Sequence, residues 1–348
     1  MKFASDNAGP ALPQVMEAMM AANEGHAPSY GAEALMEELR ARLRDLFEAP
    51  QASIYLVATG TAANALALAT LSEPWQTVFC TPLAHIHTDE CNAPEFFTGG
   101  AKLSLAGEAD KMTPADLEHA IGQWPRGDVH NPQRGPLAIT QATERGRVHS
   151  LDEIGALCEA ARAHRLPVYM DGARFANAVA ALGCTPAEMT WKAGVDAVSF
   201  GGTKNGCIGV EAVVFFTPEN AWEFELRRKR SAHLFSKHRY LSAQMLGYLR
   251  EMVWLEAAQT ANARAAYLAE GLRAVPGAEM VYPREANMIF ARLPRATHQR
   301  LRAAGAVYGL YEGPLESGPP EAGLMARFVC DWSIGEAEID RFLEVAAG

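Results

Sequence analysis

Nowhere in the 348 residues do about 18 apolar residues run on without a charge, the length a membrane-spanning helix needs, so no membrane partner is expected. The start, Met1-Lys2-Phe3-Ala4-Ser5-Asp6-Asn7, has neither a basic region followed by an apolar stretch nor the acid-poor, arginine- and serine-rich look of a transit peptide. No export signal is expected. Cysteine is sparse: Cys80, Cys91, Cys158, Cys184, Cys207 and Cys330 stand singly, with no C-x-x-C pair. That spacing suits thiols in a reducing, cytoplasmic compartment and argues against a disulfide framework or a zinc cage. Basic residues are outnumbered, 31 Lys and Arg against 41 Asp and Glu for a net charge of −10, which argues against a nucleic-acid partner. Walker A, G-x-G-x-x-G, H-E-x-x-H and G-x-S-x-G sequences are all missing, and with them the main support for nucleotide-binding, zincin and serine-hydrolase readings.

At 49% hydrophobic and 21% charged, the composition is that of an ordinary globular protein. A single core stops growing at about 250 to 300 residues, so one large and one small domain are expected. Leu35, Leu39, Leu43, Leu46 and Phe47 recur at helical spacing and stop before Pro50. Ile54–Val57 then reads as a strand running through Thr59-Gly60-Thr61 into an Ala/Leu-rich helix. Further strands are expected at Thr77–Cys80, Lys102–Leu105, Leu137–Thr140, Val168–Asp171, Ala197–Phe200 and Ala212–Phe216. Helix starts are marked by Thr113-Pro114-Ala115-Asp116 and by Ser150 with Glu153. This alternation implies an α/β fold with a mostly parallel sheet covered on both faces. From Arg239 to about Leu272 one long helical stretch is expected to join the domains, divided as 1–245 and 246–348. The smaller, α+β part has short strands at Glu279–Tyr282, Met288–Ala291, Ala306–Tyr308 and Met325–Val329, and a last helix capped by Ser333 with Glu336.

Three motifs fall at the C-terminal ends of strands, where open α/β sheets bind ligands. Lys204 lies among glycines in Gly201-Gly202-Thr203-Lys204-Asn205-Gly206, between two apolar strands. A lysine in an apolar pocket loses its proton more readily and becomes a nucleophile able to form an imine with a carbonyl cofactor. Asp171 ends a strand and offers the carboxylate that pyridoxal phosphate needs at its pyridine nitrogen. Thr59, Gly60 and Thr61 would cup a phosphate at a helix start. Each motif alone is commonplace; the ordered set is specific.

Ser5-Asp6-Asn7, Gly60-Thr61-Ala62-Ala63-Asn64, Ala84-His85, Asp171-Gly172-Ala173-Arg174-Phe175-Ala176-Asn177 and Thr203-Lys204 together resemble the low-specificity L-threonine aldolase family and its phenylserine aldolase relatives, across nearly the whole chain. The resemblance implies a fold-type-I, aspartate aminotransferase-like large domain that uses pyridoxal 5'-phosphate. It implies retro-aldol cleavage of an amino-acid substrate to glycine and an aldehyde. Lys204 would carry the cofactor, Asp171 its ring nitrogen, Gly60 and Thr61 its phosphate, and His85 would stack on the ring. Arg174 would hold the substrate carboxylate with Ser5 and Arg327, a guanidinium being suited to bidentate binding. His130 would lie near the substrate hydroxyl, and either His85 or His130 would be the base. His87 stands as a second candidate beside His85, and Thr203-Lys204-Asn205 departs from the Ser-Lys-Gly of many members. A homodimer or homotetramer with sites at the subunit interface is implied, to which Arg227-Arg228-Lys229-Arg230 either contributes or is a solvated face. Rival readings are a β-eliminating lyase, a non-catalytic pyridoxal-phosphate binder, and a metal hydrolase built on His85, His87, Glu90 and Cys91.

Overall fold

The computed structural model describes residues 1–348, the Asn220 side chain excepted. Two helices, α1 (Pro13–Ala21) and α2 (Ala34–Leu46), precede β1 (Ser53–Val57) and α3 (Gly60–Leu71). The alternation continues through β2 (Gln76–Cys80), α4 (His85–Thr88), α5 (Ala93–Thr98), β3 (Lys102–Leu105), α6 (Pro114–Gly122), β4 (Gln133–Thr140), α7 (Leu151–Ala163) and β5 (Val168–Asp171). After α8 (Phe175–Leu182) and α9 (Pro186–Met189) come β6 (Ala197–Gly201), β7 (Glu211–Phe215), α10 (Ala221–Arg230), α11 (Arg239–Leu249) and α12 (Val253–Arg273). The remainder is β8 (Glu279–Met280), β9 (Met288–Pro294), α13 (Arg295–Ala303), β10 (Gly309–Leu310), β11 (Gly323–Val329) and α14 (Glu336–Ala347).

The first seven strands form one sheet in the order β1-β7-β6-β5-β4-β2-β3. Only β7 runs against its neighbours, so β1 to β6 all end at one edge of the sheet. Every residue of β5, β6 and β7 is buried, as expected of strands covered by helices on both faces. Both capping boxes are present: Thr113 and Asp116 open α6, and Ser150 and Glu153 open α7.

The helical stretch from Arg239 is broken. Glu251 and Met252 take left-handed backbone angles, φ 50° and 61°, and a right-handed helix cannot pass through them. Arg250, Glu251 and Met252 are all good helix formers, which is why periodicity alone reads through the break. At the other end of the chain, α14 is preceded by Gly335 with no side-chain cap. Ser333 instead donates its amide and hydroxyl to Asp331 Oδ1, at 2.7 and 2.6 Å.

Two cores share α12: Trp254 and Ala257 pack into the larger one, Ala265, Leu268 and Leu272 into the smaller. Position 245/246 falls inside α11, whose Leu241, Met245 and Tyr248 belong to the larger core, so the change of core comes later, within α12. Phe3 sits in the smaller core, its amide bonded to Val307 O and its carbonyl to the Val329 amide. The chain therefore starts on the small sheet, and Ser5 and Asp6 are delivered to the junction between the two cores.

Candidate active site

The glycines around Lys204 and Asp171 are required by contact. A Cβ on Gly172 would lie 2.1 Å from the Ser199 carbonyl, so only glycine lets β5 turn away beside β6 directly after Asp171. Gly206, at φ 114°, closes the turn after Lys204 where a Cβ would meet Leu12 at 2.5 Å. Within that turn Asn205 Nδ2 donates to Tyr248 Oη and to Trp254 O, both at 2.7 Å. Thr203 Oγ1 accepts from the Val210 amide at 3.2 Å. The Thr-Lys-Asn variant thus anchors the backbone on both sides of Lys204, and its asparagine ties the lysine turn to the start of α12.

Asp171 is buried, with Oδ1 accepting from the Ala173 amide and Oδ2 from Asn64 Nδ2, both at 3.0 Å. Asn64, on α3, gives its other amide proton to Glu90 Oε1 at 2.7 Å and accepts from Tyr169 Oη at 2.8 Å, so the orientation of its amide is determined. Glu90 Oε1 also lies 2.9 Å from His85 Nδ1. An acceptor at that nitrogen demands Nδ1–H, leaving Nε2 as the ring's free position. The hydrogen bond to Glu90 is the main reason the His85 imidazole is held above its ordinary pKa. Burial pushes the Glu90 carboxyl up in turn, and Glu90 Oε2 is buried without a partner.

The start of α3 fits an anion. Thr59 caps the Ala62 amide at 3.2 Å and its carbonyl takes the Ala63 amide. The amides of Gly60 and Thr61, first in the helix, have no intrahelical acceptor. They border a cavity of about 380 Å³ that is also lined by His85, Glu90, Asp171 and Lys204. Free amides for a phosphate, a carboxylate for a ring nitrogen, an imidazole for stacking and a lysine for a carbonyl are the donor set of a pyridoxal-phosphate site.

Arg174 follows the cavity-lining Ala173 but, like Ser5 and Arg327, is not itself part of the lining. It is buried in a two-pronged pair with Asp6 that Asn287 Nδ2 supports at 3.1 Å from Asp6 Oδ2. Burial by itself would raise the Asp6 carboxyl, but Arg174 and Lys204 outweigh it and hold it below its ordinary value. Nη1 is the guanidinium nitrogen left without a partner among the described residues. Arg327, on β11, donates Nη2 to Ala4 O at 3.3 Å, beside Ser5, and its buried Nε has no partner. Ser5 Oγ accepts from the Asn7 amide at 3.1 Å.

Other expected residues are not brought together. His87 is exposed, bonded through Nδ1 to Pro82 O at 3.0 Å, and is not part of the cavity lining. His130 is exposed three residues before β4 begins, at the sheet edge opposite Asp171, so within one chain it does not reach the cavity. Arg228 is not on a solvated face: it is buried, with Nη1 on Leu56 O and its guanidinium 5.1 Å from the Tyr55 ring centre. Among the described residues no three His, Cys, Asp or Glu side chains converge as a metal site requires. Asp6, Asn64 and Glu90 carry structural roles that motif reading did not assign to them.

Residues 2–294 match the family described as beta-eliminating lyase. The chain is 42% identical over 346 residues to the low specificity L-threonine aldolase of Pseudomonas aeruginosa, covering 99% of this chain and 96% of that one. It is 41% identical to the protein of the same description from Pseudomonas sp. strain NCIMB 10558, over 97% of this chain and 94% of the other. Among solved structures, threonine aldolase of Leishmania major superposes with a TM-score of 0.91 at 25% identity, covering 99% of this chain and 98% of that one.

Proposed function

The chain belongs to the beta-eliminating lyase and low-specificity L-threonine aldolase family, and from that premise we propose that it is a pyridoxal-phosphate-dependent aldehyde-lyase. It cleaves L-β-hydroxy-α-amino acids, with L-threonine, L-allo-threonine and L-phenylserine as candidate substrates, to glycine and an aldehyde, and runs the reverse condensation. The observation that carries this reading is the convergence of Lys204, Asp171, His85 and the Gly60-Thr61 helix start on one cavity.

Lys204 would hold the cofactor at its aldehyde carbon, Asp171 at its pyridine nitrogen, and Gly60 and Thr61 at its phosphate, with His85 against the ring. Bound there, the cofactor supplies a sink for the electron pair released when the Cα–Cβ bond breaks. Arg174 and Arg327, with Ser5, take the substrate carboxylate and orient the amino acid so that this bond rather than another at Cα is the one broken. His85 Nε2 takes the proton from the β-hydroxyl, and Glu90 at Nδ1 offsets the positive charge the ring then carries. His130 joins this chemistry only from a neighbouring copy, since its own chain keeps it at the far sheet edge.

A homodimer or homotetramer with its sites at the subunit interface accompanies this reading. In its support, Phe96 and Trp222 are 77% and 68% exposed on α5 and α10, and Phe96 with Leu226 borders a surface cavity of about 710 Å³. A cytoplasmic location is supported by six free thiols. No helix is long and apolar enough to cross a membrane among the described residues. The test is aldehyde release by the purified protein with pyridoxal phosphate, comparing the three substrates in one assay. Aldehyde from at least one is expected, and the ranking identifies the preferred β-substituent; no aldehyde from any of them contradicts the reading.

A further inference from the structure

The antiparallel strand β7 begins at the edge where the other strands of its sheet end, and its first residue is Glu211. In register it stands between Val57 of β1 and Gly201 of β6, so strand polarity delivers a carboxyl to the lining of the cavity that holds Lys204. The side chain is buried, with one oxygen accepting from the Gly202 amide at 2.9 Å. Among the described residues no cationic side chain is ion-paired with it. The ionisable groups facing it are Lys204 and Cys207 from the turn after β6, Asp171 and Tyr169 from β5, and Tyr248 from α11. Burial holds the tyrosines and the thiol neutral, Asp171 opposes a second negative charge, and Lys204 is the one cation of the set. Burial raises the Glu211 carboxyl to about 7. The cleavage steps assigned above make no use of this group.

We propose that Glu211 is the proton-holding partner of Lys204. When the substrate amine displaces Lys204, the neutral lysine amine takes a proton from the Glu211 carboxylic acid. One O–H bond breaks and one N–H bond forms, giving a carboxylate and an ammonium. Before Lys204 attacks again the same proton returns, and the amine is once more a nucleophile. No further reactant is needed; Lys204 and Glu211 line one cavity without being ion-paired, so the flexible four-carbon lysine stem must swing to bring its nitrogen to the carboxyl. The assignment rests on the cofactor reading above.

The test uses cofactor-free wild type and Glu211→Gln, which keeps an acceptor for the Gly202 amide. The rate of Lys204-dependent absorbance change on mixing with pyridoxal phosphate is followed from about pH 5.5 to about 9, bracketing the neutral region between ordinary carboxylates and amines. Infrared spectra of the cofactor-free wild type over the same range report the carboxylic-acid stretch without any substitution. The wild-type rate profile is expected to bend near neutrality and the carboxylic-acid band to disappear over the same interval, while the variant lacks both. A bend that persists in the variant, or a wild-type carboxyl already ionised at the acid end, overturns the proposal while leaving the cofactor reading intact. Failure of wild type to take up pyridoxal phosphate at any pH overturns both.

Discussion

Arg174 and Asp6 meet in a buried two-pronged pair, Nε to Oδ2 at 2.7 Å and Nη2 to Oδ1 at 3.0 Å. The pair joins the start of the chain, which packs with the small sheet, to the end of β5 in the large one. It also sets the plane of the guanidinium and leaves Nη1 without a hydrogen bond, the nitrogen that the proposed carboxylate binding would use. Removing one partner of such a buried pair leaves an uncompensated charge and typically costs about 3 to 5 kcal/mol. Asp6→Asn is therefore expected to lower stability by about 3 kcal/mol and to raise KM for the amino acid more than it lowers kcat. Denaturant titration and steady-state kinetics measure both; an unchanged KM would mean that Arg174 does not hold the carboxylate.

Glu90 fixes the tautomer of His85 and raises its pKa through their hydrogen bond. Glu90→Gln keeps an acceptor at that position but removes the charge. A base must be neutral to act, so kcat/KM rises with pH through the histidine's titration, and a lower pKa moves that limb toward acid. The variant is expected to show this acidward shift together with a loss of about tenfold in kcat, within the range for general-base catalysis. If neither limb nor rate moves, His85 is not the base.

His149 is buried, with Nδ1 unpartnered, and burial more than the nearby Lys111 pushes its pKa down to about 4. The unfolded chain, with an ordinary value of about 6.5, binds more protons between these limits, so stability falls as pH drops through that window. The loss reaches on the order of 3 kcal/mol by the lower limit. His149→Leu, which fills the site without a titrating ring, is expected to flatten this part of the stability profile in urea titrations. An equally steep acid loss in the variant would place its origin elsewhere.

Lys204, Asp171 and the Gly60-Thr61 turn were legible because each is a local signature: a strand, a tight turn, and a residue type that the chemistry requires. What local reading could not provide is partnership across the fold. Asp6 and Arg174 are 168 positions apart, and Asn64 and Asp171 are 107 apart, so their meeting depends on strand order rather than on any spacing. Glu90 lies only five residues after His85, but its oxygen has meaning only once Asn64 is seen to share it with Asp171. His130 shows the converse, since a plausible local pattern is carried by β4 to the wrong edge of its own sheet. Glu211 reads in sequence as the polar start of an apolar strand, and only the reversed direction of β7 brings it to the cavity that Lys204 also lines.

The central claim is carbon–carbon cleavage, and the most direct measurement is the product balance from L-threonine with saturating pyridoxal phosphate in a single quenched time course. Glycine and acetaldehyde are predicted to appear in equal amounts, at a rate abolished by Lys204→Ala. Ammonia and a 2-oxo acid in place of glycine would contradict the account and make the same cavity that of an eliminating lyase.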